Sequence, residues 1–317
     1  MRLTVFDCED KEIHAFRTLS PRFGIETIFT ESPIEQYTRN PNLWSRCISI
    51  SHKSRITASD LHALHRTGVS CICTRSIGYD HIDTGTAARL GIFVQNTPYL
   101  PGGVADYTVM LMLMAIRGIR PVLLRTVHND FRLNAERGKE LHDMTVGIVG
   151  FGRIGRAVKE RLTGFGCRIL LCDPGSIADC IPLCRLLKES DIVTLHVPLT
   201  TETYHMMDEE QFHLMKRGAF LINTGRGALI NTPALISALE NGDLGGAALD
   251  VLEDEQEIFY CDHTQDCPDH AYVTKLSALP NVIITPHTAY YTDRVLYDTV
   301  EKTLMNCLNF ERRQNND

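Results

Sequence analysis

The chain has 317 residues, 44% of them hydrophobic and 22% charged, with a formal net charge of −7. That length suits two domains of ordinary size, and the composition is that of an average globular protein. Acidic and basic residues are mixed along the chain. They leave no basic face for a phosphate backbone and no polybasic anchor, so neither nucleic acid nor membrane is expected as a partner.

The N-terminal segment MRLTVFDCEDKE lacks an apolar stretch of signal-peptide length, which points to a cytoplasmic protein. Residues 3–6, 47–50, 69–73 and 92–94 are short apolar runs separated by amphipathic segments, the alternation of an α/β domain. A helix is expected from about Gly103, with Val104, Thr108, Leu111, Met112 and Ala115 at helical spacing, ending near Gly118. The longest apolar run, residues 109–116, is too short to span a bilayer. A second α/β unit follows, with strand-like runs at 145–149, 168–172, 192–196, 220–223, 247–250 and 282–285. Six such runs suit a doubly wound dinucleotide fold. Residues 252–280 read as an irregular insertion with one short helix. The tail after Tyr291 is amphipathic through Val295, Thr299, Leu304 and Leu308. If its apolar face packs back, the first domain is discontinuous, with residues 1–99 and 292–317 forming one unit and 100–291 the other.

The eleven cysteines read as reduced thiols, several of them acting as small hydrophobes on strands. Cys261, His263 and Cys267 match no common zinc spacing and lack an evident fourth ligand, so no metal site is expected.

In MTVGIVGFGRIGRAVKERL, Gly150, Gly152 and Gly155 stand in G-x-G-x-x-G spacing between a strand and a helix. The first glycine permits a tight turn, the second lets the backbone approach a pyrophosphate, and the third lets helix and strand pack closely. Arg153 and Ile154 would lend backbone amides to the phosphates at the helix start. Asp173 closes the second strand, eighteen residues after Gly155. A carboxylate there accepts hydrogen bonds from the adenosine ribose and repels a 2′-phosphate, favouring NAD over NADP. The alternative for Asp173 is a plain turn-initiating aspartate before Pro174.

Three later segments end strands where ligands bind in such sheets: INTGRG with Arg226, ALDVLEDE with Asp250 and Glu255, and ITPHTAYY with His287. Reduction of a 2-keto acid requires a cation to orient and polarise the substrate, a proton donor, and a carboxylate to keep that donor loaded. Arginine, histidine and glutamate meet these needs in turn.

With these segments in place the sequence resembles the D-isomer-specific 2-hydroxyacid dehydrogenase family. The resemblance runs over essentially the whole chain, through the glycine fingerprint, N-T-G-R-G, D-V-x-x-x-E and P-H-T-A. It is greatest to the D-lactate dehydrogenase branch of the vancomycin-resistance, pyruvate-reductase type, through LSPRFG, HKSRITAS, TRSIGYDHIDT, DFRLNAERGK and NVIITPHTAYYT. It implies a Rossmann NAD-binding domain and a flavodoxin-like substrate domain.

It further implies Arg226 as substrate-orienting cation, His287 as acid/base and Glu255 as its partner. Asp250 would hold the nicotinamide carboxamide, with Val197, Pro198, Thr203, Thr224 and Gly225 lining the cofactor cleft. Backbone amides of Ile77 and Gly78 would take the substrate carboxylate, with Tyr99 and Tyr290 closing the pocket around a short side chain. NADH-dependent reduction of pyruvate to D-lactate is the expected reaction. A homodimer through an arm at about 103–140 is the expected assembly. D-lactate would feed a ligase making D-alanyl-D-lactate, which vancomycin binds poorly.

One departure bears on the cofactor. Members of the resistance branch can carry a Ser/Arg-rich segment suited to NADPH, whereas Asp-Pro-Gly-Ser stands here at 173–176. The rival readings are a D-2-hydroxyisocaproate-type or phosphoglycerate dehydrogenase, and a corepressor-like NAD(H)-sensing scaffold.

Overall fold

A computed structural model describes residues 1–31, 37, 39–133, 137–173, 175, 179–265 and 271–314. The chain divides into two compact units, Met1–Leu100 with Tyr291–Asp317, and Pro101–Tyr290.

The first unit is built on five parallel strands: β1 (Arg2–Phe6), β2 (Glu26–Thr30), β3 (Cys47–Ile50), β4 (Cys71–Thr74) and β5 (Phe93–Asn96), in the order β2-β1-β3-β4-β5. This is the flavodoxin-like order. β3 and β4 are buried at every position, which is why they read as continuous apolar runs rather than alternating ones. β2 escaped the sequence reading because ETIFT is a half-exposed edge strand with no apolar run. The helix Ala58–Arg66 starts at a capping box in which Thr57 and Asp60 satisfy each other's orphan backbone amides. The C-terminal helix Asp293–Gln314 buries Val300, Leu304, Cys307 and Phe310 with Leu3, Val5 and Phe16, so the end of the chain completes the core begun at its start. Cys47, Cys71, Cys73 and Cys307 sit in this core, and the ten described cysteines are all free thiols.

The second unit carries β6 (Thr145–Val149), β7 (Arg168–Cys172), β8 (Ile192–Leu195), β9 (Ala219–Asn223), β10 (Leu244–Leu249) and β11 (Val282–Ile284), all parallel, in the order β11-β10-β9-β8-β6-β7. Cys180 adds a single parallel bridge to Leu171 of β7. It stands where the third strand of a doubly wound nucleotide fold belongs, and among the described residues that strand is one residue pair. The direction of strand addition reverses between β6 and β8, the switch point at which such sheets bind ligands.

The helix Gly102–Ile116 is apolar almost all round and packs Ala105, Val109, Leu111, Met112 and Ala115 into the same core as Val146 and Ile148 of β6. It ends before Gly118, which takes a left-handed backbone at φ 54°. Residues 252–280 hold a short 3-10 turn, Glu255–Glu257, and the helix Ala271–Ala278. No single helix among the described residues is long and apolar enough to cross a membrane.

Candidate active site

The glycine loop after β6 meets the loop after β8 at the switch point. Gly150 has φ +92°, a backbone that a side chain resists, and a Cβ there would lie 2.6 Å from the carbonyl carbon of His196. A Cβ on Gly155 would lie 2.1 Å from the carbonyl oxygen of Gly150, so helix Arg153–Thr163 abuts the turn. Gly152 differs from both: a Cβ there meets nothing within 4 Å. It is the N-cap of that helix and caps it with no side chain, leaving first-turn amides for an anion. Open space over uncapped amides is a cradle that fits a pyrophosphate. Arg153 is exposed at the helix start, while Ile154 packs onto the core.

Asp173 makes the turn bond expected of it and one bond not expected. Its Oδ1 accepts from the Gly175 amide at 2.7 Å, as a turn-initiating aspartate does, and its Oδ2 accepts from the Phe151 amide at 2.6 Å. The carboxylate therefore ties the end of β7 to the glycine loop, and each oxygen keeps a second lone pair for a ribose hydroxyl.

The remaining residues expected to line the cofactor cleft end β8 and β9. Val197 packs on the core. Thr203 donates its hydroxyl to Pro198 O at 2.7 Å and accepts from Thr200 N at 2.8 Å, stapling the loop. Thr224 is buried, its hydroxyl 2.9 Å from that of Thr108, and the Gly225 amide donates to Asn223 Oδ1 at 3.0 Å.

At the ends of β10 and β11 the structure brings His287 and Glu255 together. His287 Nδ1–H donates to Glu255 Oε1 at 2.5 Å, and Glu255 Oε2 accepts from the Leu252 amide at 2.7 Å. Both side chains are largely shielded, at 15% and 13% exposure. With the carboxylate accepting, this hydrogen bond fixes the tautomer that carries its proton on Nδ1.

His287 has φ +51°, a strained backbone for a non-glycine residue. Its amide donates to Asp250 O at 2.7 Å, and Tyr260 Oη donates to its carbonyl at 3.2 Å. Burial pushes the Tyr260 phenol up from its ordinary value, keeping it a donor. Tyr290 meets the imidazole edge to face, with ring centroids 6.0 Å apart.

Asp250 is fully buried, and its carboxylate holds the His287 loop. Oδ1 accepts from Thr285 Oγ1 at 2.6 Å and Thr288 N at 2.9 Å, and Oδ2 from Ala289 N at 2.8 Å. Burial pushes its carboxyl above the usual range, opposed by these hydrogen bonds and by His287. Sequence reasoning gave Asp250 a cofactor contact and missed this stapling of residues 285–289.

Arg226 stands on the neighbouring loop, its Nη1 donating to Gly225 O at 2.8 Å and its carbonyl accepting from Asn223 Nδ2 at 2.8 Å. The next residue, Gly227, has no room for a side chain: a Cβ would lie 1.9 Å from the carbonyl carbon of Leu252. The arginine loop and the glutamate loop are thus in backbone contact.

Ile77, Gly78 and Tyr99 belong to the first unit. There the loop after β4 has its carbonyls engaged: Ser76 O accepts from Thr97 N at 3.0 Å, Ile77 O from Asn96 Nδ2 at 2.6 Å, and Gly78 O from Ser76 Oγ at 2.6 Å. Arg75, buried behind this loop, donates to Phe6 O at 2.7 Å, to Ser49 Oγ at 3.1 Å and to Glu12 Oε1 at 3.0 Å. With the carbonyls held back, the amides of Ile77 and Gly78 are suited to face an anion. Asn96 and Arg75 carried no sequence signal.

As for a metal, Cys261 is exposed and His263 Nε2 lies 3.2 Å from Ile258 O. Cys267 lies outside the described residues, and among those described no group of three side chains could hold a metal ion.

A dinucleotide cradle at the switch point and a His–Glu pair beside a loop-borne arginine define an NAD-dependent oxidoreductase acting on a carbonyl or hydroxyl. The profile of the D-isomer specific 2-hydroxyacid dehydrogenase NAD-binding domain matches residues 109–289. A D-specific alpha-keto acid dehydrogenase of Enterococcus faecium is 54% identical over 317 residues, covering 99% of this chain and 98% of its own. Among solved structures, the pyruvate reductase of Chlamydomonas reinhardtii superposes with a TM-score of 0.87 at 29% identity, covering 98% and 96% of the two chains. The NAD complex of a D-isomer specific 2-hydroxyacid dehydrogenase from Lactobacillus delbrueckii ssp. bulgaricus gives 0.83 at 28% identity, covering 98% and 97%. The chain belongs to the D-isomer specific 2-hydroxyacid dehydrogenase family and is an NAD-dependent dehydrogenase.

Proposed function

We propose that the protein reduces pyruvate to D-lactate with NADH. The observation that carries this reading is the His287–Glu255 pair, a proton donor oriented by a shielded carboxylate at 2.5 Å. The amides of Ile77 and Gly78 bind the substrate carboxylate. Arg226 orients the keto acid through a planar guanidinium and polarises its carbonyl. NADH, when bound, supplies the hydride for the carbonyl carbon. His287 delivers the proton from Nε2 to the alkoxide oxygen, while Glu255 stabilises the imidazolium and holds the ring in place. In lactate oxidation the same nitrogen takes the proton back.

Asp250 holds the His287 loop, and its Oδ2, with one lone pair left, would accept from the carboxamide of a bound cofactor. Asp173 supports NADH over NADPH. The Tyr290 ring, edge to face with the His287 imidazole at 6.0 Å between centroids, supports a methyl side chain over longer ones. Steady-state kinetics with pyruvate, 2-ketobutyrate and 2-ketoisocaproate, each with NADH and NADPH, test the assignment. A higher kcat/KM for 2-ketoisocaproate would overturn it in favour of a hydroxyisocaproate-type enzyme.

The helix Ile119–Val127 and the segment after it leave Leu123, Leu124, Val127, Phe131 and Leu133 between 53% and 95% exposed. Such a run supports a homodimer in which a second copy covers this arm. Sedimentation of the wild type against Phe131→Glu/Leu133→Glu tests it. In a cytoplasmic setting, the D-lactate formed serves a ligase that builds D-alanyl-D-lactate precursors in vancomycin resistance. That role rests on the family resemblance alone.

A further inference from the structure

The structure assigns His205, Glu253 and Thr232 to a second carboxylate-centred network, which positions the loops of Arg226 and Glu255 relative to each other. Of the three, the sequence offers only Glu253, as the alternative to Glu255 for the partner of His287; His205 and Thr232 carry no such signal. His205 is one of thirteen histidines, and Glu253 stands two residues before the glutamate that holds His287.

Glu253 is as shielded as Glu255, at 14% side-chain exposure. Its Oε1 lies 2.6 Å from His205 Nε2, and its Oε2 accepts from Thr232 Oγ1 at 2.9 Å. Both partners are anchored to the arginine loop. Thr232 is buried and opens the helix Thr232–Glu240, six residues after Arg226. His205 has a left-handed backbone, φ +50°, and its amide donates to Ala228 O at 2.9 Å, two residues after Arg226. The ring is further fixed by Tyr204, stacked at 3.9 Å between centroids. Glu253 therefore reaches from its own loop into the frame that carries Arg226.

The connection to the catalytic carboxylate is covalent and short. Asp254, between the two glutamates, is left-handed at φ +55°, so the chain turns sharply there and sends the two carboxylates to different partners. Leu252, whose amide holds Glu255 Oε2, is the residue whose backbone closes on Gly227. A shift of Glu253 moves Leu252 and Asp254 with it, and through them the Glu255 carboxylate that orients His287. A misplacement of about 1 Å at such a site costs up to about a hundredfold in rate. His205, Glu253 and Thr232 act as positioning residues; they transfer no proton.

The inference rests on the role proposed for Glu255, and a double-mutant cycle separates the two. The measurements are kcat for pyruvate reduction at saturating NADH, and Kd for NADH. Glu253→Gln lowers kcat roughly tenfold with Kd for NADH unchanged within about twofold; in a Glu255→Gln background it costs less than about twofold, because the carboxylate it positions is already gone. His205→Gln, which keeps an N–H donor, retains most of the rate. His205→Phe, which keeps the ring over Tyr204 but has no donor, does not. If Glu253→Gln fails to fold, Thr232→Val carries the same cycle, since it removes only the donor to Oε2.

Equal losses in both backgrounds overturn the inference and leave the role of Glu255 standing, as do a wild-type kcat in Glu253→Gln and equal rates for His205→Gln and His205→Phe. A wild-type rate in Glu255→Gln alone overturns the proposed mechanism, and this inference with it.

Discussion

Two of the three glycines of the dinucleotide loop, Gly155 and Gly152, predict opposite outcomes for the same substitution. Gly155→Ala places a methyl 2.1 Å from the carbonyl oxygen of Gly150, where van der Waals contact needs about 3.5 Å. Helix and turn must separate by more than an ångström. Overpacking of that kind costs about 1–3 kcal/mol, which in a domain of this size lowers Tm by roughly 3–10 °C. Gly152→Ala meets nothing within 4 Å, and its φ of −73° and ψ of −158° suit any residue. Removing a glycine there restricts the unfolded chain and stabilises the apoprotein by about 0.4–1 kcal/mol.

The same methyl fills the cradle over the helix amides, so NADH loses about 1–3 kcal/mol of binding, a factor of roughly 5 to 150 in Kd. Thermal unfolding of the two apoproteins and NADH titration by calorimetry read both effects. If Gly152→Ala binds NADH as the wild type does, the pyrophosphate does not lie over Gly152 and the reading of the cradle fails.

Arg226→Lys is expected to lower kcat/KM for pyruvate at least about a hundredfold with NADH affinity nearly unchanged, because lysine lacks the planar fork; wild-type turnover would remove Arg226 from the mechanism. The wild type should prefer NADH to NADPH, and Asp173→Asn should narrow the ratio of kcat/KM values about tenfold or more; a ratio that does not move clears Asp173 of the choice. Glu255→Gln should lower pyruvate reduction about a hundredfold and lactate oxidation less, since oxidation starts from the neutral imidazole; equal losses in the two directions count against the pairing. Burial holds the His196 imidazole down to about 3 from an ordinary 6.5, with Nδ1 sealed from solvent although the residue keeps some exposed surface. The unfolded chain therefore takes up the proton first, and stability is lost as pH falls from about 6.5 toward 3, at up to about 1.4 kcal/mol per unit. The urea midpoint should fall less between about pH 7.5 and 5.5 in His196→Asn than in the wild type, and equal falls would clear His196.

Features with a local cause were legible in the sequence. Gly150 needs φ +92°, and Gly155 must admit a carbonyl at 2.1 Å from its absent Cβ, so the residue type reports the geometry directly. The parallel strands β3, β4, β6, β8 and β9 are buried on both faces and show themselves as apolar runs. β2 is half-exposed at an edge and did not. Among the described residues the strand at Cys180 is a single bridge, too short for any periodicity. Asp173 initiates a turn as the sequence allows, while its second oxygen ties that turn to the glycine loop at Phe151, a long-range partnership with no local signal.

What the sequence could not show are partnerships made across the fold. Nothing in DVLEDE says that Glu255 faces His287 while Glu253, two residues earlier, faces His205. Strand-like alternation would send both glutamates to one side. The left-handed turn at Asp254 is what separates them. Among the described residues, six non-glycine positions have positive φ, and four of these, His205, Asp254, Tyr260 and His287, belong to the second unit's His–Glu networks or their supports. Local propensity argues against that backbone at each of the four. At the two histidines hydrogen bonds hold it: Ala228 O and Glu253 for His205, and Asp250, Glu255 and Tyr260 for His287. Local rules thus fail where the fold holds strained backbone in place, and that concentration of strain falls on the loops proposed to be catalytic, independently of any motif.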